Sequence, residues 1–332
     1  MRHTFFCIDG HTAGNPVRLV VGGAPLLPGR SMSERRQAFL ERFDWIRTGL
    51  MFEPRGHDMM SGGFLYPPTR DDTEAGILFI ETSGCLPMCG HGTIGIVTFA
   101  LENGLIIPRR PGKLKLDTPA GVIDLEYVSD GARVTSVKIR NVPGYLAAEG
   151  VLIDVPGLGA LTVDVAYGGN FYAIVEPQGG YVGLDQMGAA EILRVSPIVR
   201  ALVREAFTPV HPMDPTIAGV SHVLWADKPR SEGADGRNAV FYGERAIDRS
   251  PCGTGTSARL AHLHAKGRLK VGDAFVHESF IGSRFIGRVE AEADIGGQAG
   301  IVPSVEGSAI ATGHNILWID VADTFHKGFQ VV

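Results

Sequence analysis

The sequence predicts an α+β protein of two similar halves, each a buried helix wrapped by β-sheet. Three observations carry that prediction. A Cys-Gly-x-Gly-Thr turn occurs twice, in "PMCGHGTIG" and "SPCGTGTSA", with its cysteines 163 residues apart. Other signals recur in the same order at nearly the same shift. The segment after the first turn, "TIGIVTFALEN", is apolar nearly all round, which marks a helix buried on every side.

The repeat is ordered along the chain. A shift of 163 matches Cys89, Gly90, Gly92 and Thr93 with Cys252, Gly253, Gly255 and Thr256, and also Gly104 with Gly267. Both helices therefore meet a glycine stop at the same distance. "DTPAG" (Asp117–Gly121) resembles "ESFIG" (Glu278–Gly282) at a shift of 161, and "DGHTAGN" (Asp9–Asn15) resembles "DVAYGGN" (Asp164–Asn170) at a shift of 155. Chance produces any one of these; all three in order argue for duplication. The expected domains are residues 1–150, carrying Cys89, and 151–332, carrying Cys252, with the C-terminal strand able to pack back on the first half.

Strands are expected at "NPVRLVVGG", "GILFIETSG", "GKLKLDT", "GVIDLEYV" and "RVTSVKIRNV" in the first half. In the second half "ALTVDVAYG", "FYAIVEP", "NAVFYG", "SRFIGRVEAEA" and "NILWIDV" read the same way, each bounded by Gly, Pro or Asp. One helix is expected over Ser33–Ile46, with Phe39, Phe43, Ile46 and Leu50 on one face. Another is expected around Met187–Phe207, interrupted where Ser196 and Pro197 read as a new N-cap and first helical residue.

Composition excludes several classes. The chain is 44% hydrophobic and 20% charged with a net charge of -5, and no Lys/Arg run forms a stripe, so nucleic acid is not an expected partner. No apolar run reaches the roughly 18 residues of a membrane helix, and "MRHTFFCIDG" is no signal peptide. The expected compartment is the cytoplasm. Four cysteines are too few for a disulfide scaffold. Cys7 and Cys85 read as structural. Zinc through His91 or His57 is disfavoured because no second ligand pair matches Cys85 and Cys89; no metal is expected.

Each twin turn puts a cysteine just before a helix. The N–H groups of a first helical turn lack internal partners and attract an anion, and a thiolate is favoured there. Two such sites facing each other would grip one carboxylate and offer one sulfur to each face of the neighbouring carbon. That arrangement suits removal of an α-proton on one face and delivery on the other, with no cofactor required.

These residues carry a resemblance. "MCGHGTIG", "DRSPCGTGTSAR", "DGHTAGNP", "RGHDMMSGGFLYPP" and "ESFIGSRFIGRVE" together are similar to the proline racemase family over essentially the whole chain. The resemblance implies the diaminopimelate-epimerase-like fold: two pseudo-symmetric halves, each a central helix in a mostly antiparallel sheet, with the active site in the cleft between them. It also implies cofactor-independent proton transfer by Cys89 and Cys252. Within the family the chain most resembles the 4-hydroxyproline 2-epimerases. The presence of Cys252 weighs against the dehydratases, which generally have Thr there. Ser61 stands where proline racemases place a Phe, leaving room and a hydrogen-bonding group for a ring hydroxyl.

Motif matching implies that Gly90, His91, Gly253 and Thr254 donate backbone N–H groups to the substrate carboxylate. His91 and Asp248 would line the ring-nitrogen side, Asp248 pairing with the secondary ammonium or serving as a turn residue. His222 is a further pocket candidate or a core histidine, and His57 and Asp58 would buttress the pocket loop. The expected activity is inversion of C2 of trans-4-hydroxy-L-proline to cis-4-hydroxy-D-proline. The rivals are racemisation of proline and a non-catalytic amino-acid-binding or redox protein. The expected partner is the small amino acid, and a homodimer is compatible with the sequence.

Overall fold

The computed structural model describes residues 1–331. The chain divides into two compact units: the first is Met1–Ile139 with the chain from Gly307 onward, and the second is Arg140–Glu306. The expected boundary at residue 150 is corrected. That position lies inside β8 (Gly144–Val155), a continuous strand of the second unit.

In the first unit, β1 (Arg2–Thr12) and β2 (Asn15–Gly22) form a hairpin. Its two turn residues, Ala13 and Gly14, both have positive φ, 48° and 92°, as the tightest hairpin turns demand. β2 runs parallel to β3 (Ser61–Tyr66), and β3 antiparallel to β4 (Ala75–Glu81). β4 is parallel to β5 (Lys113–Thr118), which is antiparallel to β6 (Gly121–Asp130). β7 (Arg133–Arg140) follows. The last strand, β17 (Ala309–Asp320), pairs antiparallel along β1 from Arg2 to Thr12.

The second unit repeats that order. β8 pairs antiparallel with β9 (Gly159–Tyr167), and β9 with β10 (Phe171–Val175). β10 is parallel to β11 (Val220–Asp227), β11 antiparallel to β12 (Gly236–Tyr242), and β12 parallel to β14 (Ala274–Glu278). A two-residue strand, β13 (Ala246–Ile247), adds to β12. β15 (Arg284–Ile295) and β16 (Gln298–Gly307) follow antiparallel. β16 then pairs back on β8 through Gly300 and Tyr145, closing the sheet on itself.

Each unit holds one helix inside its sheet. These are α3 (Gly90–Glu102), buried from Gly90 to Ala100, and α5 (Gly253–Ala265), buried from Gly253 to Leu263. Both end alike. Gly104 and Gly267 have φ of 65° and 68°, and the next residues reach back, Leu105 N–H to the Ala100 carbonyl and Arg268 N–H to that of Leu263, each at 2.8 Å. This satisfies carbonyls that a buried helix end cannot give to water. The third repeated motif also has one job in both units. Asp117 accepts the Thr69 N–H at 2.8 Å, and Glu278 accepts the N–H groups of Arg230 and Ser231 at 2.8 and 3.0 Å.

Two helix expectations are corrected. The predicted Ser33–Ile46 helix is two, α1 (Met32–Arg42) and α2 (Asp44–Met51), broken at Phe43. Asp44 starts the second by pairing with Arg47 at 2.6 Å, and the break brings Phe39, Ile46 and Leu50 into one core. Conversely, α4 (Ala189–Ala206) runs through Pro197. The Ser196 hydroxyl does not cap there; it accepts the Trp225 indole N–H at 2.9 Å. No helix among the described residues is long and apolar enough to cross a membrane.

The core of the second unit contains a titration signature. His277 on β14 is buried, and its ring Nδ1 lies 2.9 Å from the Thr256 hydroxyl on α5. Burial, aided by the Arg259 charge, pushes its pKa down from 6.5 to about 3. The unfolded chain takes up a proton near its ordinary pKa, whereas the folded chain resists until near 3, so stability is lost as pH falls through that window. His262 is shifted in the same direction by burial. The urea midpoint is therefore expected to drop between about pH 7 and about pH 5, and to drop less in His277→Gln. An equal drop in both proteins would remove His277 from the account.

Candidate active site

Cys89 caps α3. Its backbone is extended (φ -140°), and its Sγ accepts the Gly92 N–H at 3.3 Å. The sulfur thus lies on the first turn of the helix, and a Cβ built on Gly92 would sit 2.8 Å from it. In the second unit a Cβ on Gly255 would sit 3.0 Å from the Sγ of Cys252. The second glycine of Cys-Gly-x-Gly therefore clears space for the cysteine's own sulfur.

Glu81, at the end of β4, places Oε1 2.9 Å from the Cys89 Sγ, while its Oε2 accepts the Ser83 hydroxyl at 2.9 Å. His91 Nδ1 stands 3.7 Å from the same sulfur. Its Nε2 is 2.6 Å from the Ser61 hydroxyl and 3.0 Å from the side-chain amide of Asn15. Ser61 Oγ also lies 2.9 Å from the Pro16 carbonyl. These contacts orient the His91 ring beside the thiol. Ser61 is fully buried, so its hydroxyl stands behind His91 as its support. The Thr12 hydroxyl holds the His91 carbonyl at 2.8 Å. The His57–Met60 turn leads into Ser61, and the Asp58 carbonyl accepts the Thr82 hydroxyl at 2.9 Å, next to Glu81.

Cys252 occupies the equivalent place on α5 with a different backbone. Its φ is +65°, a region costly for any residue with a Cβ. A polar relay holds it. The Cys252 N–H donates to Ser250 Oγ at 3.1 Å, and the Ser250 N–H and hydroxyl both donate to Asp248 at 2.8 Å. Asp248 is thus buried and engaged in the turn that delivers Cys252. The Cys252 Sγ lies 3.2 Å from the Tyr172 hydroxyl, which lies 2.6 Å from Thr254 Oγ1. Asn170 donates to that same Thr254 oxygen at 3.3 Å. His222 stacks on the Tyr172 ring with centroids 4.7 Å apart, and its Nδ1 is 2.7 Å from Ser221 Oγ.

The first unit thus brings together Ser61, Cys89, Gly90 and His91. The second gathers Cys252, Gly253 and Thr254 with Asp248 and, through Tyr172, His222. Sequence reasoning missed Glu81, Asn15, Tyr172 and Asn170. The two asparagines had a signal, since they are the last residues of the repeated D-x4-GN motif, and each meets the side chain of the second residue of its unit's helix. Glu81 had a weaker one, as the single charge in the apolar run "GILFIE".

Chemically, each half-site offers first-turn N–H groups and a helix dipole to an anion, with a sulfur and polar partners beside them. The donor atoms of Glu81, Cys89 and His91 lie within 4.8 Å of one another, so the sulfur has an acid–base group on either hand.

Comparison with known proteins agrees with this geometry. A family model described as proline racemase matches residues 7–330. The chain is 60% identical over 332 residues to a 4-hydroxyproline 2-epimerase of Shewanella loihica, covering 100% of both proteins. A crystal structure of a hydroxyproline epimerase from Agrobacterium vitis, with bound trans-4-hydroxy-L-proline, is 27% identical with a TM-score of 0.92, covering 99% of this chain and 95% of that one. A PhzF-family phenazine biosynthesis protein of Bacillus anthracis, 15% identical with a TM-score of 0.62 and covering 96% and 99%, shares the fold alone. The fold is diaminopimelate-epimerase-like.

Gly92→Ala puts a methyl group where the Cys89 sulfur now rests. The variant is expected to fold, by circular dichroism, yet to lose roughly 100-fold in turnover, the usual cost of misplacing a reacting atom by about 1 Å. Unchanged turnover would mean that the sulfur need not lie on the helix terminus.

Proposed function

The chain belongs to the proline racemase family, and from that premise we propose that it is a 4-hydroxyproline 2-epimerase. It inverts C2 of trans-4-hydroxy-L-proline to give cis-4-hydroxy-D-proline, with Cys89 and Cys252 as the acid–base pair. The observation that carries the reading is the recurrence, in both units, of a cysteine at the N-cap position of a buried helix with its sulfur packed against the third helical residue. The name and extent of the relative that is 60% identical supply the substrate.

The proposed chemistry follows from what inversion requires. First-turn N–H groups at Gly90, His91, Gly253 and Thr254 hold the carboxylate and take up the negative charge that develops there when C2 loses its proton. One cysteine, as thiolate, accepts the C2 proton; the other, as thiol, gives its proton to the opposite face. The electron pair stays on the substrate throughout, so the chemistry needs no electron-accepting group. His91 and Asp248 serve the ring-nitrogen side. Ser61 bears on the ring through the orientation of His91. Because the pair works only with both sulfurs reduced, we place the enzyme in the cytoplasm.

Incubation with trans-4-hydroxy-L-proline in heavy water is expected to give cis-4-hydroxy-D-proline with deuterium at C2. Proline run alongside should exchange more slowly; faster exchange of proline would transfer the assignment to a proline racemase. Cys252→Thr removes the group that acts as thiolate on one isomer and as thiol on the other. Inversion, followed by chiral chromatography, is expected to fall by ~100-fold to 10,000-fold. Near-normal inversion by the folded variant would refute the two-cysteine mechanism.

A further inference from the structure

The two cysteines occupy equivalent positions but face side chains of different character, a carboxylate at Cys89 and a phenol at Cys252. At Cys89 the partner accepts. Glu81 carries two acceptor oxygens; one takes the Ser83 hydroxyl proton and the other faces the Cys89 Sγ at 2.9 Å. With an ionised carboxylate there, the proton in that contact can come only from the thiol. At Cys252 the partner can donate. The Asn170 amide donates to Thr254 Oγ1, Thr254 Oγ1 lies 2.6 Å from Tyr172 Oη, and Tyr172 Oη lies 3.2 Å from the Cys252 Sγ, to which a phenol can give its proton.

We propose that Glu81 and Tyr172 are positioning residues that set the resting protonation of the pair: Cys89 is the thiol and Cys252 the thiolate. Glu81, the His91 ring and the Gly92 N–H all face the Cys89 sulfur, Glu81 nearest at 2.9 Å; a thiolate there would place two anions in contact, whereas a thiolate at Cys252 receives a phenol proton, a charge-assisted hydrogen bond. The inference rests on the two-cysteine reading above and adds which sulfur is ready as base. In the forward step Cys252 takes the C2 proton of the isomer that presents it, and Cys89 gives its proton to the opposite face. The enzyme is left as Cys89 thiolate and Cys252 thiol, the form that acts on the other isomer. The released enzyme returns to rest by moving one net proton from Cys252 to Cys89 through solvent.

Thiolate absorbance in the ultraviolet reads each sulfur in turn. Cys89→Ser leaves Cys252 to titrate and Cys252→Ser leaves Cys89, each measured against the double serine variant. Cys7 and Cys85 do not intrude, because burial pushes both up to about 12. Cys252 is expected to titrate lower than Cys89 by at least about one pH unit, the scale of a hydrogen bond to a charged group. Adding Glu81→Gln should bring the Cys89 midpoint down by a similar amount, and adding Tyr172→Phe should raise that of Cys252. Glu81→Asp, which keeps the charge, should restore most of the Cys89 midpoint, a rescue that a merely structural role for Glu81 would not give. Cys89 titrating at or below Cys252, or a Cys89 midpoint unmoved in folded Glu81→Gln, would overturn the proposal. Failure of the underlying reading shows separately, as no deuterium exchange at C2 while the titration order holds.

Discussion

A cysteine sulfur resting on the first turn of a fully buried helix is the interaction on which each unit depends. A helix enclosed by sheet has no water at its N-terminus, so its first N–H groups need partners from the protein or a bound anion. In α3 the Cys89 sulfur supplies one such partner, to Gly92. The contact is possible only because residue 92 has no side chain, and the same space is kept open at Gly255. The glycine spacing of the twin motif is thus a packing requirement first. The positively polarised helix end is what an anionic substrate group would use.

The parts around each helix hold that end in place. The Gly-Asn hairpin turn of each unit lies against it: Thr12 and Asn15 meet His91, and Asn170 meets Thr254. In the second unit the turn approaches so closely that a Cβ on Gly168 would lie 2.2 Å from the Ala258 nitrogen. The leading aspartate of each repeat anchors its hairpin by a different pair. Asp9 binds Arg18 at 2.7 Å, and Asp164 binds His262 at 2.7 Å and Lys266 at 2.6 Å. Burial works against ionising Asp164, but the bonds from His262 and Lys266 prevail and hold its carboxyl well below the usual range.

Duplication kept the frame and let the lining diverge. Strand order, the two crossovers, the glycine stop and the acid-led turn recur between units. What differs is what touches sulfur and how the backbone delivers it: Glu81 and an extended Cys89 in one, Tyr172 and a left-handed Cys252 in the other. Proton transfer from one face of a carbon to the other has the same asymmetry, since it needs an acid and a base at the same moment.

The sequence by itself determined the duplication, the buried first helix and the two cysteines, because these rest on local spacing and composition that survive without contacts, and its motifs carried the resemblance to the family. It did not show β1, β3, β8, β11, β13, β14 or β16. β8 contains "LAAEG", which reads as helix, and it holds as a strand through its pairing with β9, with register shifts after Leu146 and Ala148, and at its start with β16. The break at Phe43 and the continuity through Pro197 were likewise settled by packing, through Asp44–Arg47 and Trp225–Ser196. The tertiary structure alone decided the partners of the reacting sulfurs. Glu81 is eight residues from Cys89, and Tyr172 is 80 residues from Cys252. The partners of Ser61, the His91 ring and the Pro16 carbonyl, were likewise set by the fold. A hydrogen bond depends on where two atoms stand within a few tenths of an ångström, and for residues this far apart in the chain that position is set by the fold around them.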